Sequence, residues 1–222
     1  MRDIKINNEV VLESLNKFKD FVLEKYHSGD LDKDLQLNAK DHTRDRWIAD
    51  DYLERIIERG RDHEGYPESM RSYHGMMPSY HNSGGIDLTI AEQYREKANK
   101  MNQELMTELS AKRNTLVTLY PPGGWISWHN NANAPGYNVI FSWSETGDGW
   151  FDYWDIEKKE RVRVPDVPGW QCKMGYFGAY HQPDKLCYHA ASTDCLRMSV
   201  AYVFAEAEDM WEQIIEDIED PV

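Results

Sequence analysis

The spacing of apolar residues changes near residue 114, and this change limits the folds open to the chain. Before it, apolar side chains recur every three or four positions, as in the stripe of Val11, Leu15, Phe18 and Val22. That spacing places them on one face of a helix. After it, apolar and polar residues alternate over short runs such as residues 137–143, which is the period of a β-strand. The sequence therefore predicts helices first and a β-core after them.

The predicted elements indicate an α+β fold. Helical spacing covers residues 8–27, 45–59, 89–113 and 206–218. Residues 60–86 are rich in turn residues and have no period, which indicates a long loop. Strand patterns cover residues 115–120, 137–143, 150–155, 161–164, 170–177, 186–189 and 197–204. Short strands at regular spacing favour a sandwich or barrel, so we expect a jelly roll braced by N-terminal helices and one C-terminal helix.

The length of the chain fits a single domain. Its 222 residues suffice for one sizeable core. Residues 1–114 are expected to form a helical and loop support region, residues 115–205 the jelly-roll core, and residues 206–222 a C-terminal helix with an acidic tail.

Charge and composition exclude several classes of partner. The formal net charge is −14, and an acidic surface repels polyanions, so nucleic acid is an unlikely partner. No run approaches the roughly 18 apolar residues of a membrane helix, and the first residues lack the apolar core of a signal peptide. The three cysteines are Cys172, Cys187 and Cys195, an odd number without metal or redox spacing, which fits a reducing compartment. We therefore expect a cytoplasmic protein.

Two histidines and an arginine carry the candidate chemistry. Residues i and i+2 of a strand point to the same side, so His129 and Asn131 are expected to face the barrel interior together. The same rule places Arg197 and Ser199 on one face, and His189 precedes their strand. The sequence thus predicts two imidazoles, a short polar side chain, a guanidinium and a hydroxyl inside one barrel.

This set of groups suits a mononuclear iron site with an organic acid cosubstrate. Non-haem Fe(II) takes imidazole and oxygen ligands on one face and leaves positions open. A 2-oxo acid chelates through its carboxylate and keto oxygens. Its far carboxylate then needs a donor pair, which arginine supplies better than lysine. A hydroxyl from Ser199 or Tyr120 would complete the contact.

Residues 120–204 resemble the catalytic core of the 2-oxoglutarate/Fe(II)-dependent oxygenases, in particular the prolyl-4-hydroxylase-like branch. The motifs that carry the resemblance are, in order, Tyr120, Gly123-Gly124, His129-Asn130-Asn131, Gly149-Trp150-Phe151, Pro165 or Pro168 with Gly169, His189, and Arg197-Met198-Ser199. The resemblance implies a double-stranded β-helix, Fe(II) and 2-oxoglutarate as cofactors, and a non-haem iron dioxygenase activity. The metal ligands it implies are His129, Asn131 and His189, and the cosubstrate-binding residues are Arg197, Ser199 and Tyr120. No further catalytic residue is predicted.

Asn131 departs from the family pattern, which has Asp or Glu at this position. A carboxamide oxygen is neutral and is a weaker ligand than a carboxylate. Halogenases that use Fe(II) and a 2-oxo acid have a small residue there, and chloride takes the place. Asn131 could therefore be a weak ligand, hold a water molecule, or mark a lost activity.

Two functions follow from these observations. The first is an oxygenase that hydroxylates a protein side chain, a peptide or a small molecule, with the loop at residues 60–86 covering the substrate. The second is a non-catalytic jelly-roll binding module with a degenerate metal site. A cupin metalloenzyme ranks below both, because no H-x-H motif with a following Glu is present after His129. His74, His81 and His181 are interpreted as surface or loop residues.

Overall fold

The computed structural model describes residues 1–31, 43–74, 88–205 and 210–220. Within them lie five α-helices: α1 (Glu9–His27), α2 (Arg44–Trp47), α3 (Asp50–Arg59), α4 (Leu88–Glu108) and α5 (Met210–Glu219). Short 3₁₀ helices span Gly60–His63 and Pro183–Lys185. The strands are β1 (Arg2–Ile4), β2 (Met70–Arg71), β3 (Tyr73–His74), β4 (Arg113–Tyr120), β5 (Gly124–His129), β6 (Gly136–Ser144), β7 (Gly149–Asp155), β8 (Glu160–Pro165), β9 (Gly169–Phe177), β10 (His189–Thr193) and β11 (Arg197–Val203).

The strands form two antiparallel sheets. The six-stranded sheet has the order β1-β9-β6-β11-β4-β3, and the five-stranded sheet has the order β2-β5-β10-β7-β8. Strands that are neighbours in a sheet are often distant in sequence, as with β11 between β4 and β6. The predicted α+β class is confirmed.

Helices cover the outer face of the six-stranded sheet. Helix α1 begins because the Asn8 side chain accepts a hydrogen bond from the Val11 amide (3.1 Å), which satisfies one of the free donors of the first turn. The predicted stripe of α1 is buried against this sheet together with the apolar faces of α4 and α5. Phe18 of α1 meets Tyr94 of α4 edge to face, with ring centroids 5.4 Å apart. Apolar burial of this extent is the main stabilising term for the helices.

The alternation of side chains along β6 separates two apolar cores. The outer core lies between the six-stranded sheet and the helices, and the inner core lies between the two sheets. Val139 and Phe141 pack towards the helices, whereas Ile140 points between the two sheets. The inner cluster takes residues from both sheets, namely Tyr120, Ile126, Ile140, Phe151, Phe177, Ala191 and Ala201, together with Cys187 from the segment before β10. The candidate site lies in this inner space.

The outer face of the five-stranded sheet is covered by α3. Tyr52 and Ile56 of this helix pack with Trp128 and Tyr188 of the sheet side. The prediction of one continuous helix over residues 45–59 is wrong, because Ala49 has extended backbone angles and separates α2 from α3.

Several predicted boundaries and the predicted loop differ from the structure. The helix predicted to reach residue 113 ends at Glu108, since Ser110 has a positive φ of 54° and β4 starts soon after. The strand predicted at residues 186–189 instead runs from His189 to Thr193. Residues 206–209 of the predicted last helix lie outside the described residues.

Residues 60–74 are a 3₁₀ helix and two short strands rather than a loop. Strand β2 pairs with β5, and β3 pairs with β4, so this segment joins the edges of both sheets. Two-residue strands are too short to show a period, and β1 escaped prediction for the same reason. Residues 75–86 of the predicted loop, including His81, lie outside the described residues, and so does the side chain of His74.

Within the described ranges, no helix combines the length and the apolar character that crossing a bilayer requires.

Candidate metal and cosubstrate site

His129 and His189 meet because β5 and β10 are neighbours in the five-stranded sheet. The strand register pairs the two residues directly. Their ring centroids are 4.1 Å apart, and both residues are buried, with 5% and 7% of their surface exposed. Two residues that are 60 positions apart in sequence are therefore side by side, as the sequence predicted.

Hydrogen bonds fix which nitrogen of each imidazole carries the proton. Nδ1 of His129 lies 2.8 Å from the Ser127 carbonyl oxygen, and Nδ1 of His189 lies 3.0 Å from that of Cys187. A carbonyl oxygen only accepts, so each Nδ1 carries the proton and each Nε2 keeps its lone pair. A metal-binding histidine is oriented in this way by its second nitrogen.

Burial keeps both rings neutral. It lowers the pKa of His189 to about 4. The pKa of His129 is also well below its ordinary range, chiefly because of burial and then because of the neighbouring His189. Neutral imidazole is the form that binds a metal ion.

A cavity of about 700 Å³ lies between the two sheets and contains the predicted site residues in its wall. All six of them line it: His129, Asn131, His189, Arg197, Ser199 and Tyr120. The lining also includes the exposed residues Tyr66 and Arg113, which place part of the cavity at the protein surface. The structure thus brings together the residues that the sequence singled out.

Asn131 reaches the cavity by a route that the sequence did not predict. Strand β5 ends at His129, and Asn131 has a φ of 63° in the turn that follows, so strand alternation does not place it. Asparagine adopts this left-handed backbone more readily than most residues. The Asn130 side chain accepts a hydrogen bond from the Ala132 amide (3.0 Å) and holds the turn. The premise of a shared strand face was wrong, although Asn131 does line the cavity.

Gly65 packs against this turn, which gives a test of how tightly the turn is held. A Cβ at Gly65 (φ +77°) would lie 2.1 Å from the Ala132 nitrogen, whereas a Cβ at Gly29 (φ +78°) would have no neighbour within 4 Å. We expect Gly65→Ala to lower the free energy of unfolding by about 3 kcal/mol or more, through overpacking added to backbone strain. Gly29→Ala carries only the backbone strain and should cost about 1 kcal/mol. Urea denaturation measures both, and equal losses would contradict the close packing.

The donor set fits a metal bound by two imidazoles. In the part of the chain that the structure describes, no group of three His, Cys, Asp or Glu residues is arranged to hold a metal ion. The oxygen donor predicted for the third position is the neutral carboxamide of Asn131, in the wall of the same cavity. Two unprotonated Nε2 atoms, with Asn131 in the wall of the same cavity, match the nitrogen and oxygen preference of Fe(II).

Arg197 lies at the buried end of the cavity, which is formed by Tyr120, Arg197 and Ser199. Only 1% of Arg197 is exposed. Its Nη1 donates to the Ser199 hydroxyl (2.5 Å), and its guanidinium carbon lies 5.6 Å from the centre of the Tyr120 ring. Burial raises the pKa of Tyr120 to about 12, so its hydroxyl stays protonated and able to donate.

Two partners of Arg197 were missed by the sequence analysis. Its Nε donates to Asp166 Oδ2 (2.7 Å), and its Nη2 donates to the Ser142 hydroxyl (3.2 Å). Ser142 could have been found, because it alternates inward with Ile140 on a predicted strand. Asp166 follows the end of β8 and has no periodic signal.

Residues 60–74 supply two further polar residues that the sequence did not identify. His63 is 97% buried, with neither ring nitrogen in a hydrogen bond, and its charge would lower the pKa of His129. Glu68 lines the cavity and receives hydrogen bonds from Arg59 Nη1 (2.6 Å) and the Tyr52 hydroxyl (3.0 Å). No period marks this segment, so neither residue stood out.

No protein-family model and no curated protein sequence matches the chain. Among similar solved structures is a prolyl-4-hydroxylase from Pseudomonas putida, with 12% identity over 72% of this chain and 90% of that one and a TM-score of 0.33. A prolyl hydroxylase from Trichoplax adhaerens, solved with a hypoxia inducible factor peptide fragment, has 13% identity over 95% and 85% and a TM-score of 0.37. A cupin domain from Bordetella pertussis has 18% identity over 42% and 84% and a TM-score of 0.27. Likeness at this level assigns neither an activity nor a ligand to this chain.

Proposed function

We propose that the chain is an Fe(II)- and 2-oxoglutarate-dependent oxygenase. The observation that carries the proposal is the pair of buried imidazoles, His129 and His189, each held through Nδ1 in the wall of a cavity that also contains a buried arginine. Each of these rings keeps an unprotonated nitrogen, which is the atom through which histidine binds a metal ion. Two such rings facing each other in a cavity wall favour a metal site.

In this proposal β4 to β11 form a double-stranded β-helix, or jelly roll, and residues 1–222 are one domain. The support comes from the two antiparallel sheets and the inner cluster that both of them share. The buried and unpaired thiols of Cys172, Cys187 and Cys195 suit a cytoplasmic protein.

His129 and His189 would hold Fe(II) through Nε2, and Asn131 would supply a third, weaker ligand. Bound there, Fe(II) would activate O₂ and couple oxidative decarboxylation of 2-oxoglutarate to hydroxylation of a substrate. Arg197, Ser199 and Tyr120 would bind the far carboxylate of the cosubstrate. A protein side chain, a peptide or a small molecule would enter at the exposed side of the cavity.

The chain's own side chains prepare the cavity for this chemistry. Ile126, Ile140, Phe151 and Ala201 give it apolar walls between the histidines and the buried end. Such walls limit water near the reacting groups and strengthen the polar contacts made there.

Anaerobic titration with Fe(II) and then 2-oxoglutarate tests the proposal. We expect one Fe(II) per chain and a visible charge-transfer band that appears only when both are present. Admission of O₂ should then convert 2-oxoglutarate to succinate. A folded protein that binds neither Fe(II) nor 2-oxoglutarate would exclude the oxygenase.

A second candidate is a non-catalytic binding module with a degenerate metal site. The observation that favours it is the absence of a carboxylate ligand beside the two histidines among the described residues. Such a module would bind metal weakly and leave 2-oxoglutarate unconverted in the same titration.

The substitution Asn131→Asp tests whether residue 131 occupies the position of the third ligand. We expect Fe(II) binding to tighten about tenfold or more with 2-oxoglutarate present, because a full negative charge replaces a dipole next to a cation in a partly buried site. Asn133→Asp is the matched control, since Asn133 is exposed and contacts the Tyr180 amide instead (3.3 Å). Equal or weaker binding in Asn131→Asp would mean that the third ligand comes from elsewhere.

A further inference from the structure

Asp166 is a buried carboxylate that connects the two sheets and contacts Arg197, one of the residues at the buried end of the cavity. Its amide donates to the Gly149 carbonyl of β7 (2.9 Å), and its side chain crosses to Arg197 of β11. The carboxylate has no exposed surface, and the Arg197 side chain is 1% exposed. A charge pair this deep is costly to bury unless its geometry is good.

The contact with Asp166 decides which edge of the guanidinium is left for a ligand. Asp166 takes the Nε donor of Arg197, while Ser199 and Ser142 take one donor each from Nη1 and Nη2. Arginine has five N–H donors. The two that remain are both on the Nη atoms, so the edge that can receive a ligand is the one away from Asp166.

Asp166 also cancels the charge of Arg197. Its ion pair among the described residues is with Arg197 (Nε to Oδ2, 2.7 Å). The other buried cation nearby, Lys173, contacts Gln171 Oε1 (3.0 Å) and forms its ion pair with the exposed Asp3 (3.8 Å), and the charge of Asp166 acts on it without a direct ion pair. A carboxylate that enters the buried end therefore meets an arginine whose counter-ion is already in place.

The backbone makes room for this carboxylate. A Cβ at Gly149 would lie 2.5 Å from Asp166 Oδ2 and 3.0 Å from Thr193 Oγ1. Only glycine allows the carboxylate to sit this close to β7. The glycine that precedes the aromatic strand in the sequence motif thus has a role in placing Asp166.

We propose that Asp166 is a positioning residue that fixes Arg197 through Nε and neutralises it, so that the buried end recognises its ligand by hydrogen-bond geometry more than by net charge. The proposal rests on the proposed oxygenase function and defines its cosubstrate class. The site accepts a 2-oxo acid whose far end carries hydrogen-bond acceptors, and discriminates only weakly between a carboxylate and a neutral carbonyl group there. Without the charge of Asp166, the buried end becomes selective for 2-oxo acids whose far end is a carboxylate.

The test compares two ligands in the full-length chain. One is 2-oxoglutarate, and the other is 2,5-dioxohexanoate, in which a methyl ketone replaces the far carboxylate. Dissociation constants are measured anaerobically with Fe(II) for the natural sequence and for Asp166→Asn, which keeps an acceptor for Nε but removes the charge. We expect Asp166→Asn to increase the preference for 2-oxoglutarate over the ketone by about tenfold or more, because the ligand becomes the counter-ion of Arg197.

Asp148→Asn is the control, since it removes the same charge from an exposed residue near this end of the molecule. It should leave the ratio of the two affinities unchanged. An unchanged ratio in Asp166→Asn would overturn the role of Asp166 while the oxygenase function stood. If 2-oxoglutarate does not bind to the natural sequence at all, the proposed function fails and the assignment of Asp166 fails with it.

A second variant keeps the proposal testable if Asp166→Asn does not fold. Arg197→Lys retains the positive charge beside Asp166 but has no Nε and no second Nη donor. If the site recognises its ligand by hydrogen-bond geometry, both ligands should bind to Arg197→Lys about tenfold or more weakly than to the natural sequence. The ratio of their two dissociation constants should change little. Undiminished binding of 2-oxoglutarate to Arg197→Lys would show that charge alone suffices and would overturn the proposal.

Discussion

Replacing His189 with alanine should reduce the affinity for Fe(II) by at least about 100-fold, since loss of a direct ligand exceeds the 10–100-fold cost of losing an outer contact. His189 is one of the two imidazoles with a free Nε2 in the cavity. Anaerobic Fe(II) titration measures the effect. His181→Ala is the control, because His181 is exposed and does not line the cavity.

The same residue packs in the inner core, so the test needs a check on folding. The His189 ring lies 4.9 Å from that of Phe177 and 5.6 Å from that of Phe151, and alanine leaves a void there. His189→Leu fills most of that volume without offering a nitrogen. Unchanged Fe(II) affinity in a folded His189→Leu protein would contradict the metal site.

Replacing Arg197 with leucine should lower the free energy of unfolding by about 3–5 kcal/mol, because it leaves the Asp166 carboxylate buried without a counter-ion. The sequence alone assigned Arg197 only to binding of the cosubstrate. The structure adds the folding cost, since the Asp166 side chain has no exposed surface. Urea denaturation measures the loss.

The double variant Arg197→Leu with Asp166→Leu separates charge burial from lost packing. Replacing a buried ion pair by apolar residues is often close to neutral, so we expect it to recover most of the stability lost in Arg197→Leu. The double-variant cycle then gives the coupling between the two residues. A loss below about 1 kcal/mol in Arg197→Leu would show that the pair is solvated in solution.

Local periodicity explains which parts of the fold were predictable. The stripe of Val11, Leu15, Phe18 and Val22 extends over about three helical turns, and the alternation in β6 covers residues 137–143. Both signals are long enough to identify the element and its buried face. Segments such as β2 and β3, with two residues each, pair because of tertiary contacts that leave no pattern in the sequence.

The site was predictable where it depends on strands and not where it depends on turns or long-range pairs. The register of β5 and β10 places His129 beside His189, as the order of motifs indicated. Asn131 lies in a left-handed turn that alternation cannot describe. The contact between Asp166 and Arg197 joins a loop to a distant strand, and only the folded chain defines it.

Strands β2 and β3 each form the edge of one sheet. These strands, together with β1, occupy the outer sides of β5, β4 and β9. A fragment that starts after residue 74 would leave the backbone of β4 and β5 unpaired at Thr118, Leu119, Trp125 and Ile126, which are buried residues. Open edges of this kind pair with other chains. The N-terminal third of the protein therefore covers part of one edge of each sheet against pairing with another chain.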